Sequence, residues 1–254
     1  MKSLKINLKK KISLLLKDLK ISKNDNVFIH SNSAGIFKFS KKKISLNLLF
    51  KYLKKKIGKS GTIVFPTYNY SVLKRRFFSW EELNSEVGYL SNFMLNNKKF
   101  QRTKNPVFSH IVNGQKTKGL LNSNNQTAFE NNNNFFSKLI KYNFKILGFC
   151  CPLNKMTFLH YIEKQSSVPY RFNKKFKLIF KENNKVKKLD YSYFVGKKKI
   201  DYSIKEIKVK KILSEKKKIL IKTFGRYECW IVKSEDVFKI FTDKLKKNKY
   251  YLIK

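Results

Sequence analysis

Residues 26–35 read NVFIHSNSAG, a short apolar run followed by a histidine and a turn of small polar residues. An apolar run of this length, bounded by turn formers, is typical of a buried strand. The turn offers hydroxyl groups and backbone N–H groups ahead of a predicted helix. Such a turn suits phosphate oxygens, because unpaired amides and the helix dipole both attract anions. It is not a Walker loop, because no Gly-Lys-Ser/Thr follows at the required spacing.

Strand and helix patterns continue to alternate along the chain. A helical pattern of apolar residues stops at Gly58, which is a suitable C-cap, and Pro66 closes the next apolar run. Alternation of this kind favours a layered α/β domain. The further predicted strands are residues 62–65, 107–112 and 145–150, and the further predicted helices are residues 88–94 and 157–163, the latter with Thr157 as N-cap.

From about residue 170 the pattern changes to short, lysine-rich alternating runs. Residues 176–180, 204–209 and 219–223 predict additional antiparallel β-structure in the C-terminal third. No linker rich in Pro, Gly or Ser interrupts the chain. Residues 1–254 are therefore predicted to form a single domain.

Charge is the most pronounced feature of the composition: the chain has 58 Lys and Arg residues but only 16 Asp and Glu, which gives a formal net charge of +42. One interpretation is a polyanionic partner such as nucleic acid, an anionic membrane or a phosphorylated cofactor. The other is a lysine-rich bias spread over every exposed face. The lysines recur along the whole chain, and no RNP sequence, Cys/His finger or zippered basic region is present. No specific nucleic acid is therefore predicted, although a basic nucleic-acid-binding protein remains an alternative.

The N-terminal segment predicts an amphipathic helix rather than a signal peptide, because its longest apolar run spans only residues 14–16. No stretch approaches the ~20 apolar residues of a membrane span. The three cysteines, Cys150, Cys151 and Cys229, show no metal-like spacing, so no metal site is predicted. A reduced, cytoplasmic protein is the simplest expectation.

The three histidines, His30, His110 and His160, each lie beside a predicted strand or at a predicted helix start, where ligand-binding loops converge in α/β sheets. His160 and Glu163 are three residues apart and share a helix face. A carboxylate beside an imidazole holds its tautomer and favours a general base. The alternatives are a helix-terminal histidine with a solvated glutamate and, less favoured, a thiol nucleophile at Cys150 or Cys151.

Taken in their order along the chain, the strand ends and helix starts described above resemble motifs of the aminoglycoside 3-N-acetyltransferase family. These antibiotic N-acetyltransferases are unrelated to the GNAT fold. The resemblance spans roughly residues 10–240. VFIHSNSAGIF is similar to the family's His-Ser-Ser turn, and GTIVFPTYNY to its Gly-Thr-Leu-Val-Met-Pro-Thr-Phe-Thr stretch. RTKNPVFSH resembles Arg-Ser-x-His-Pro-x-x-Ser, and TFLHYIE resembles Thr-x-x-His-x-x-Glu. FGRYECWIVKSEDVF resembles the C-terminal strand and helix.

The resemblance implies a three-layer α/β/α fold with a central mixed sheet, and acetyl-CoA-dependent transfer to an amino group. It implies that Arg102 faces a cofactor phosphate or shapes the site, that Ser109 lies near the thioester carbonyl, and that His160 and Glu163 lie at the acceptor end. The cofactor-binding residues expected on this basis are His30, Ser31, Ser33, Gly35, Pro66, Thr67, Tyr68 and Arg102.

The chain departs from the family motif at Asn105, where the family has a histidine commonly taken as the catalytic base. An amide cannot accept a proton at neutral pH, so Asn105 is not a like-for-like replacement. Three outcomes remain open: His110 or His160 serves as base, the substrate amine arrives neutral, or activity is lost. The last would make the chain a degenerate CoA-binding member.

The expected reaction is direct transfer, with CoA and acceptor held side by side and no acyl-enzyme. The expected catalytic residues are His160, Glu163, Asn105 and Ser109. The expected acceptor is an amino sugar or an aminoglycoside-like molecule. An amino-sugar intermediate is favoured over an antibiotic as the acceptor. Polycationic aminoglycosides bind best in an acidic pocket, and this chain is strongly basic. Assembly as a homodimer is left open.

Overall fold

A seven-stranded mixed sheet forms the centre of the protein in a computed structural model, which describes residues 2–37, 42–130 and 133–254. Its strands in spatial order are β4 (Gln101–Arg102), β5 (His110–Gly114), β2 (Thr62–Pro66), β1 (Asn26–Ser31), β6 (Phe144–Phe149), β10 (Tyr227–Lys233) and β9 (Ile219–Phe224). β1 pairs in parallel with β2 and β6, whereas β5 and β10 run antiparallel to β2 and β6 respectively. The buried strands predicted around residues 26, 62 and 145 are confirmed.

Side chains of β1 alternate between two separate cores, as the two-residue period of a strand requires. Phe28 packs in the core on one face, and Val27 and Ile29 pack in the core on the other. Each fully buried side chain of this size contributes about 1.5–3 kcal/mol relative to exposure. Both faces of the sheet are therefore covered, and the expected three-layer α/β/α class with a central mixed sheet is confirmed.

Helices cover both faces of the sheet. Leu16 and Leu49 place the first and third helices on the face of Val27, whereas Ile162 and Phe241 place the eighth and tenth on the face of Phe28. The helices are α1 (Lys2–Asp18), α2 (Ala34–Phe37), α3 (Lys42–Ile57), α4 (Ser71–Arg75), α5 (Tyr89–Leu95), α6 (Thr117–Leu121), α7 (Phe135–Lys141), α8 (Phe158–Gln165), α9 (Glu206–Glu215) and α10 (Ser234–Lys247), with a short 3₁₀ turn at Leu153–Lys155. Within these ranges no helix combines the length and apolar content needed to cross a membrane.

The C-terminal third contains the antiparallel β-structure expected there, with one correction. A long hairpin of β7 (Arg171–Glu182) and β8 (Lys185–Gly196) forms a second sheet with β3 (Phe77–Ser79). The strand predicted at residues 204–209 is wrong, because this segment leads into α9. Val209, Ile212 and Leu213 are buried at helical spacing, and this longer period overrides the short alternating run that precedes it.

Two local expectations near the site also need correction. The strand predicted at residues 107–112 begins only at His110, because the Asn105 side chain folds the preceding residues into a turn. Thr157 does occupy the position before α8, but its side chain makes no capping hydrogen bond. Its hydroxyl is therefore not used by the helix.

Candidate active site

A cavity of about 290 Å³ lies at the C-terminal ends of the parallel strands β1 and β2. The loop after β6 also lines it. In open α/β sheets, this is the edge at which ligands bind. Four residues predicted for cofactor binding lie in its wall: His30, Ser31, Pro66 and Tyr68. The remaining wall residues are Tyr70, Val87, Gly88, Ser91, Cys151, Lys155 and Thr157.

Two polar atoms, His30 Nε2 at the end of β1 and Ser33 Oγ in the turn that follows, are buried without a hydrogen-bond partner among the described residues. Burial lowers the pKa of His30 to about 3, so its imidazole is neutral at physiological pH. Buried polar groups are normally paired, and His30 lines the cavity, so its orphaned nitrogen indicates a ligand that supplies the partner. The turn therefore suits a ligand with amide or phosphate groups.

Gly35 allows this turn to pack tightly against neighbouring strands. A Cβ atom at Gly35 would lie 2.7 Å from Cys150 Sγ and 2.9 Å from the Tyr227 ring, so a larger residue would displace the turn. Gly88, in the cavity wall, has φ +72°, which glycine adopts at no steric cost. The structure thus gives Gly35 a packing role, and its contact with a cofactor stays a prediction.

The half-buried Arg102 and the buried Ser109 and Thr67 form a hydrogen-bonded cluster beside the cavity wall. Arg102 donates to the Ser109 hydroxyl at 3.0 Å, to the Thr67 carbonyl at 3.2 Å and to the Leu83 carbonyl. The Ser109 hydroxyl lies 2.7 Å from the Thr67 carbonyl oxygen. Burial lowers the pKa of Arg102 to about 10, so the guanidinium stays charged at neutral pH. These contacts shape the site, whereas contacts of Arg102, Ser109 or Thr67 with a bound ligand stay predictions.

Asn105 organises the turn between β4 and β5. Its Oδ1 accepts hydrogen bonds from the backbone N–H of Val107 (3.1 Å) and Phe108 (2.7 Å) and from the Tyr191 hydroxyl (3.0 Å). Its Nδ2 donates to the Thr127 carbonyl at 2.8 Å. The buried amide is therefore occupied in holding the loop, and these contacts argue for a supporting role rather than a chemical one.

His160 and Glu163 lie on one face of α8, as their spacing predicts. His160 Nδ1 is 2.6 Å from Glu163 Oε2 and donates its proton to the carboxylate. That bond leaves Nε2 as the basic nitrogen. The His160 side chain is 30% exposed, whereas that of Glu163 is fully buried, so the imidazole is accessible to a substrate.

Glu163 stays ionised because donors and cations surround it. Burial acts to raise the pKa of Glu163, but the charge and hydrogen bond of His160, the charge of Arg171 and the Tyr170 hydroxyl together lower it. The Tyr170 hydroxyl donates to Oε1 at 2.8 Å. Arg171 Nε lies 2.8 Å from Oε2, a charge contact without hydrogen-bond geometry. This setting fixes the carboxylate, and through it the imidazole of His160.

His110 lies in the core rather than at the base position. It stacks on Phe135 with ring centroids 3.5 Å apart, and its Nε2 is 3.2 Å from the Tyr68 hydroxyl. Burial holds the pKa of His110 well below its usual value. Being fully buried, His110 cannot meet a substrate amine, and among the three histidines His160 is the one whose geometry suits a base.

Two residues of the site carry no signal in the sequence. Lys155 lines the cavity from the segment before α8, and Arg171 reaches Glu163 from the start of β7. Only the fold brings them to the site. Cys151 also lies in the wall, but burial raises the pKa of its thiol to about 11, so it is not a thiolate nucleophile. In the described residues, no group of His, Cys, Asp and Glu side chains is arranged to hold a metal ion.

Comparison with known proteins agrees with the fold described above. A family model described as aminoglycoside 3-N-acetyltransferase matches residues 28–246. Among solved structures, AAC-IIIb in a binary complex with CoASH is 15% identical and covers 94% of this chain and 96% of its own, with a TM-score of 0.75. The YokD protein from Bacillus subtilis is 14% identical and covers 94% of this chain and 93% of its own, with a TM-score of 0.75. A search of curated protein sequences gave no match.

Proposed function

Because the chain belongs to the aminoglycoside 3-N-acetyltransferase family, we propose that it transfers the acetyl group of acetyl-CoA to a primary amine of an amino sugar or aminoglycoside-like acceptor. The observation that carries the proposal is the His160–Glu163 pair, at 2.6 Å, on the helix that begins directly after the cavity-lining residue Thr157. A base and a ligand cavity thus lie at one end of the same helix.

The cavity wall supports binding of the CoA moiety. His30, in the wall, carries an unpaired buried nitrogen that can bond an amide or phosphate group, and Ser31 lies beside it in the wall. Lys155, an exposed cation of the wall, suits a phosphate. Pro66 and Tyr68 provide an apolar side for the pantetheine chain. When bound, acetyl-CoA supplies an activated thioester, and the protein's task is to position it and to move a proton.

His160 takes the proton of the acceptor amine. Glu163 holds Nδ1 protonated, so Nε2 is directed to the acceptor and the imidazolium that forms is stabilised by the carboxylate. Arg171 and Tyr170 prevent Glu163 from turning away. Direct transfer needs no nucleophile on the protein, in keeping with the neutral thiol of Cys151.

The experiment that tests this proposal separates binding from chemistry. Calorimetry with CoA and acetyl-CoA should give 1:1 binding, and release of free thiol from acetyl-CoA should follow on addition of an amino sugar or of the aminoglycoside sisomicin. His160→Ala is the matched control, expected to bind CoA normally and to release no thiol above background. Absence of CoA binding by the native chain would refute the proposal. Binding without transfer to any acceptor would instead identify a degenerate, CoA-binding member of the family.

A further inference from the structure

A second cavity, of about 330 Å³, lies at the edge of the central sheet opposite the candidate active site. Lys145 lines it near the start of β6, and Lys233 lines it at the end of the antiparallel strand β10. The active-site cavity lies instead at the C-terminal ends of β1 and β2. The two cavities have no wall residue in common.

Lysines dominate the charged groups of this second cavity. Its charged wall residues are Lys20, Lys145, Lys217, Lys218, Lys233 and Asp236. Lys218 Nζ lies 3.1 Å from Asp236, and this pair is neutral. Lys145 Nζ lies 2.6 Å from Asp25, which is close to the wall but not part of it. The exposed lysines that remain belong to no ion pair among the described residues: Lys20, Lys217 and Lys233.

The lysine excess is a local property of this wall, because the charge balance differs from one cavity to another. A more open cavity beside α4 has equal numbers of cations and carboxylates in its wall, namely Lys74, Arg75, Glu82 and Glu86. A neighbouring cavity shares Lys145 and Lys233 with the present one, but Asp25 and Glu235 balance them there. An anion therefore finds more unpaired cations in the second cavity than in either of these.

Two of the unpaired lysines occupy backbone positions that favour glycine. The helices α1 and α9 each end in a turn whose closing hydrogen bond spans five residues, at 3.0 Å after α1 and 2.8 Å after α9. Such a turn places one residue in the left-handed conformation, and this residue is usually glycine. Here it is Lys20 (φ +52°) and Lys217 (φ +54°). In the described part of the chain these are the two lysines with positive φ, and both line this cavity.

The rest of the wall is apolar and consists of Leu19, Ile219, Leu220, Ile231 and Val232, which we call the floor. Ile219 and Leu220 are only half-buried, so apolar surface remains for a ligand to cover. Ammonium groups attract phosphate oxygens, and an apolar floor suits the organic part of the same molecule. The volume also falls within the range of about 300–1,000 Å³ that is usual for small-molecule pockets.

We propose that this cavity binds a small phosphorylated organic molecule, with its phosphate groups on Lys20, Lys217 and Lys233 and its apolar part on the floor. The site lies at the opposite edge of the sheet from the proposed acetyl transfer and does not depend on that reaction. A ligand there would offset the repulsion among the three unpaired ammonium groups.

The test uses ATP without divalent cations as the probe and the methyl groups of Ile, Leu and Val as reporters in the NMR spectrum of the full chain. Saturable shifts are expected for Ile219, Leu220 and Val232 on the floor. Val87, in the wall of the active-site cavity, reports separately on any binding of ATP there. Tripolyphosphate, which has no apolar part, and adenosine, which has no phosphate, should both bind more weakly than ATP.

Glycine substitutions separate binding from stability. Lys20→Gly and Lys217→Gly each remove a charge but suit the left-handed backbone, so both variants should melt at the native temperature or above it. Each should weaken ATP binding by about 1.5- to 5-fold, the range of an exposed charge contact. The matched control is the pair Lys197→Gln and Lys198→Gln, which removes two exposed charges outside the cavity wall and should leave the affinity nearly unchanged.

Three results would overturn the inference. The first is that ATP shifts no floor methyl group, and the second is that the glycine pair and the glutamine pair lose affinity equally, which would indicate attraction by net charge alone. The third is a lower melting temperature for the glycine variants with ATP affinity unchanged, which would show that the two lysines only stabilise the helix ends. Tripolyphosphate binding as tightly as ATP would exclude the floor from the site.

Discussion

Asn105 and His160 differ in what their polar atoms do. The amide of Asn105 is buried and engaged in four hydrogen bonds, two within its own loop and two to Tyr191 and Thr127. The imidazole of His160 has one nitrogen held by Glu163 and the other unengaged by any hydrogen bond of the described residues. A side chain with a free basic nitrogen in a partly exposed position can exchange protons, whereas a saturated buried amide cannot. On the proposed mechanism, His160 therefore takes the role of base that the family assigns to a histidine at position 105.

Substituting each residue should separate the two roles. We expect Asn105→Ala to lower the free energy of unfolding by about 2–3 kcal/mol, because buried backbone N–H groups lose their acceptor, and to lower kcat only modestly. We expect His160→Ala to leave stability nearly unchanged and to lower kcat by about 10²–10⁴. Chemical denaturation and steady-state kinetics measure the two effects. The reverse pattern, with His160→Ala active and Asn105→Ala inactive but folded, would place the chemistry at position 105.

At the site, the resemblance pointed to residues that do lie in the cavity wall, whereas their contact with a cofactor stays a prediction. His30, Ser31, Pro66 and Tyr68 line the cavity because they lie at or just beyond the ends of two adjacent parallel strands. Partners that depend on distant packing could not be predicted in the same way. Arg171 contacts Glu163 from the start of a strand in a separate sheet, and the spacing of the two residues in the sequence does not predict that contact.

Among the elements, β-branched and aromatic runs that are buried on both faces were the easiest to predict, as in Thr62–Pro66. Errors arose where a side chain or a longer period altered a short apolar run. The Asn105 side chain folds the residues before β5 into a turn, so the strand starts later than predicted. The segment predicted as a strand at residues 204–209 instead leads into α9, in which Val209, Ile212 and Leu213 are buried at helical spacing. A window of five or six residues cannot show whether a strand pattern is overridden by a side-chain turn or by a longer helical period.

Glu163 joins α8 to the hairpin that begins at β7. Its carboxylate contacts Arg171 and Tyr170, so one buried side chain holds the helix that carries His160 against the second sheet. Glu163→Ala should lower the free energy of unfolding by about 3 kcal/mol or more, since the nearly buried Arg171 would lose its counter-charge. Activity should fall as well, because His160 loses the acceptor that fixes its tautomer.

Lys164→Ala is the matched control on the same helix. Lys164 pairs with Glu130 at 3.2 Å near the surface, and a pair of this kind contributes at most about 1 kcal/mol. Urea denaturation of both variants gives the comparison. Equal stabilities for the two would show that Glu163 does not tie the helix to the hairpin.

At the scale of the whole molecule, two neutral histidines within the fold should make stability depend on pH. Burial lowers the pKa of His30 to about 3 and that of His110 well below its usual value, whereas both are free to protonate in the unfolded chain near pH 6.5. The unfolded state therefore binds more protons, and stability falls as the pH drops below about 6.5. Below about pH 6.5, each buried histidine should lower the free energy of unfolding by about 1.4 kcal/mol for every unit by which the pH falls.

Denaturation between pH 6.5 and 5 measures this slope, above the range in which most carboxylates titrate. His30→Gln should remove one of the two contributions and reduce the histidine part of the slope by about half. A native protein whose stability is flat over this range would show that the histidines exchange protons with solvent in the folded state.

The net charge of +42 should also act on the whole fold, through repulsion among lysines that have few acidic partners. At about 0.01 M salt the Debye length is roughly 30 Å, comparable with the size of a domain, whereas at 1 M it is about 3 Å. We therefore expect the melting temperature to rise by several degrees between low salt and about 0.5 M NaCl, equivalent to roughly 1–2 kcal/mol. Differential scanning calorimetry measures the change.

A triple substitution separates charge repulsion from general salt effects. Lys197, Lys198 and Lys199 are exposed in the loop after β8 and belong to no ion pair in the described part of the chain. Replacing all three with glutamine should raise the melting temperature at low salt and have a smaller effect at high salt, since the repulsion they add is already screened there. A melting temperature that rises equally at both salt concentrations would mean that the gain comes from the glutamines themselves. A native melting temperature that falls with added salt would show that attractive pairs, such as Lys145 with Asp25 at 2.6 Å, outweigh repulsion across the surface.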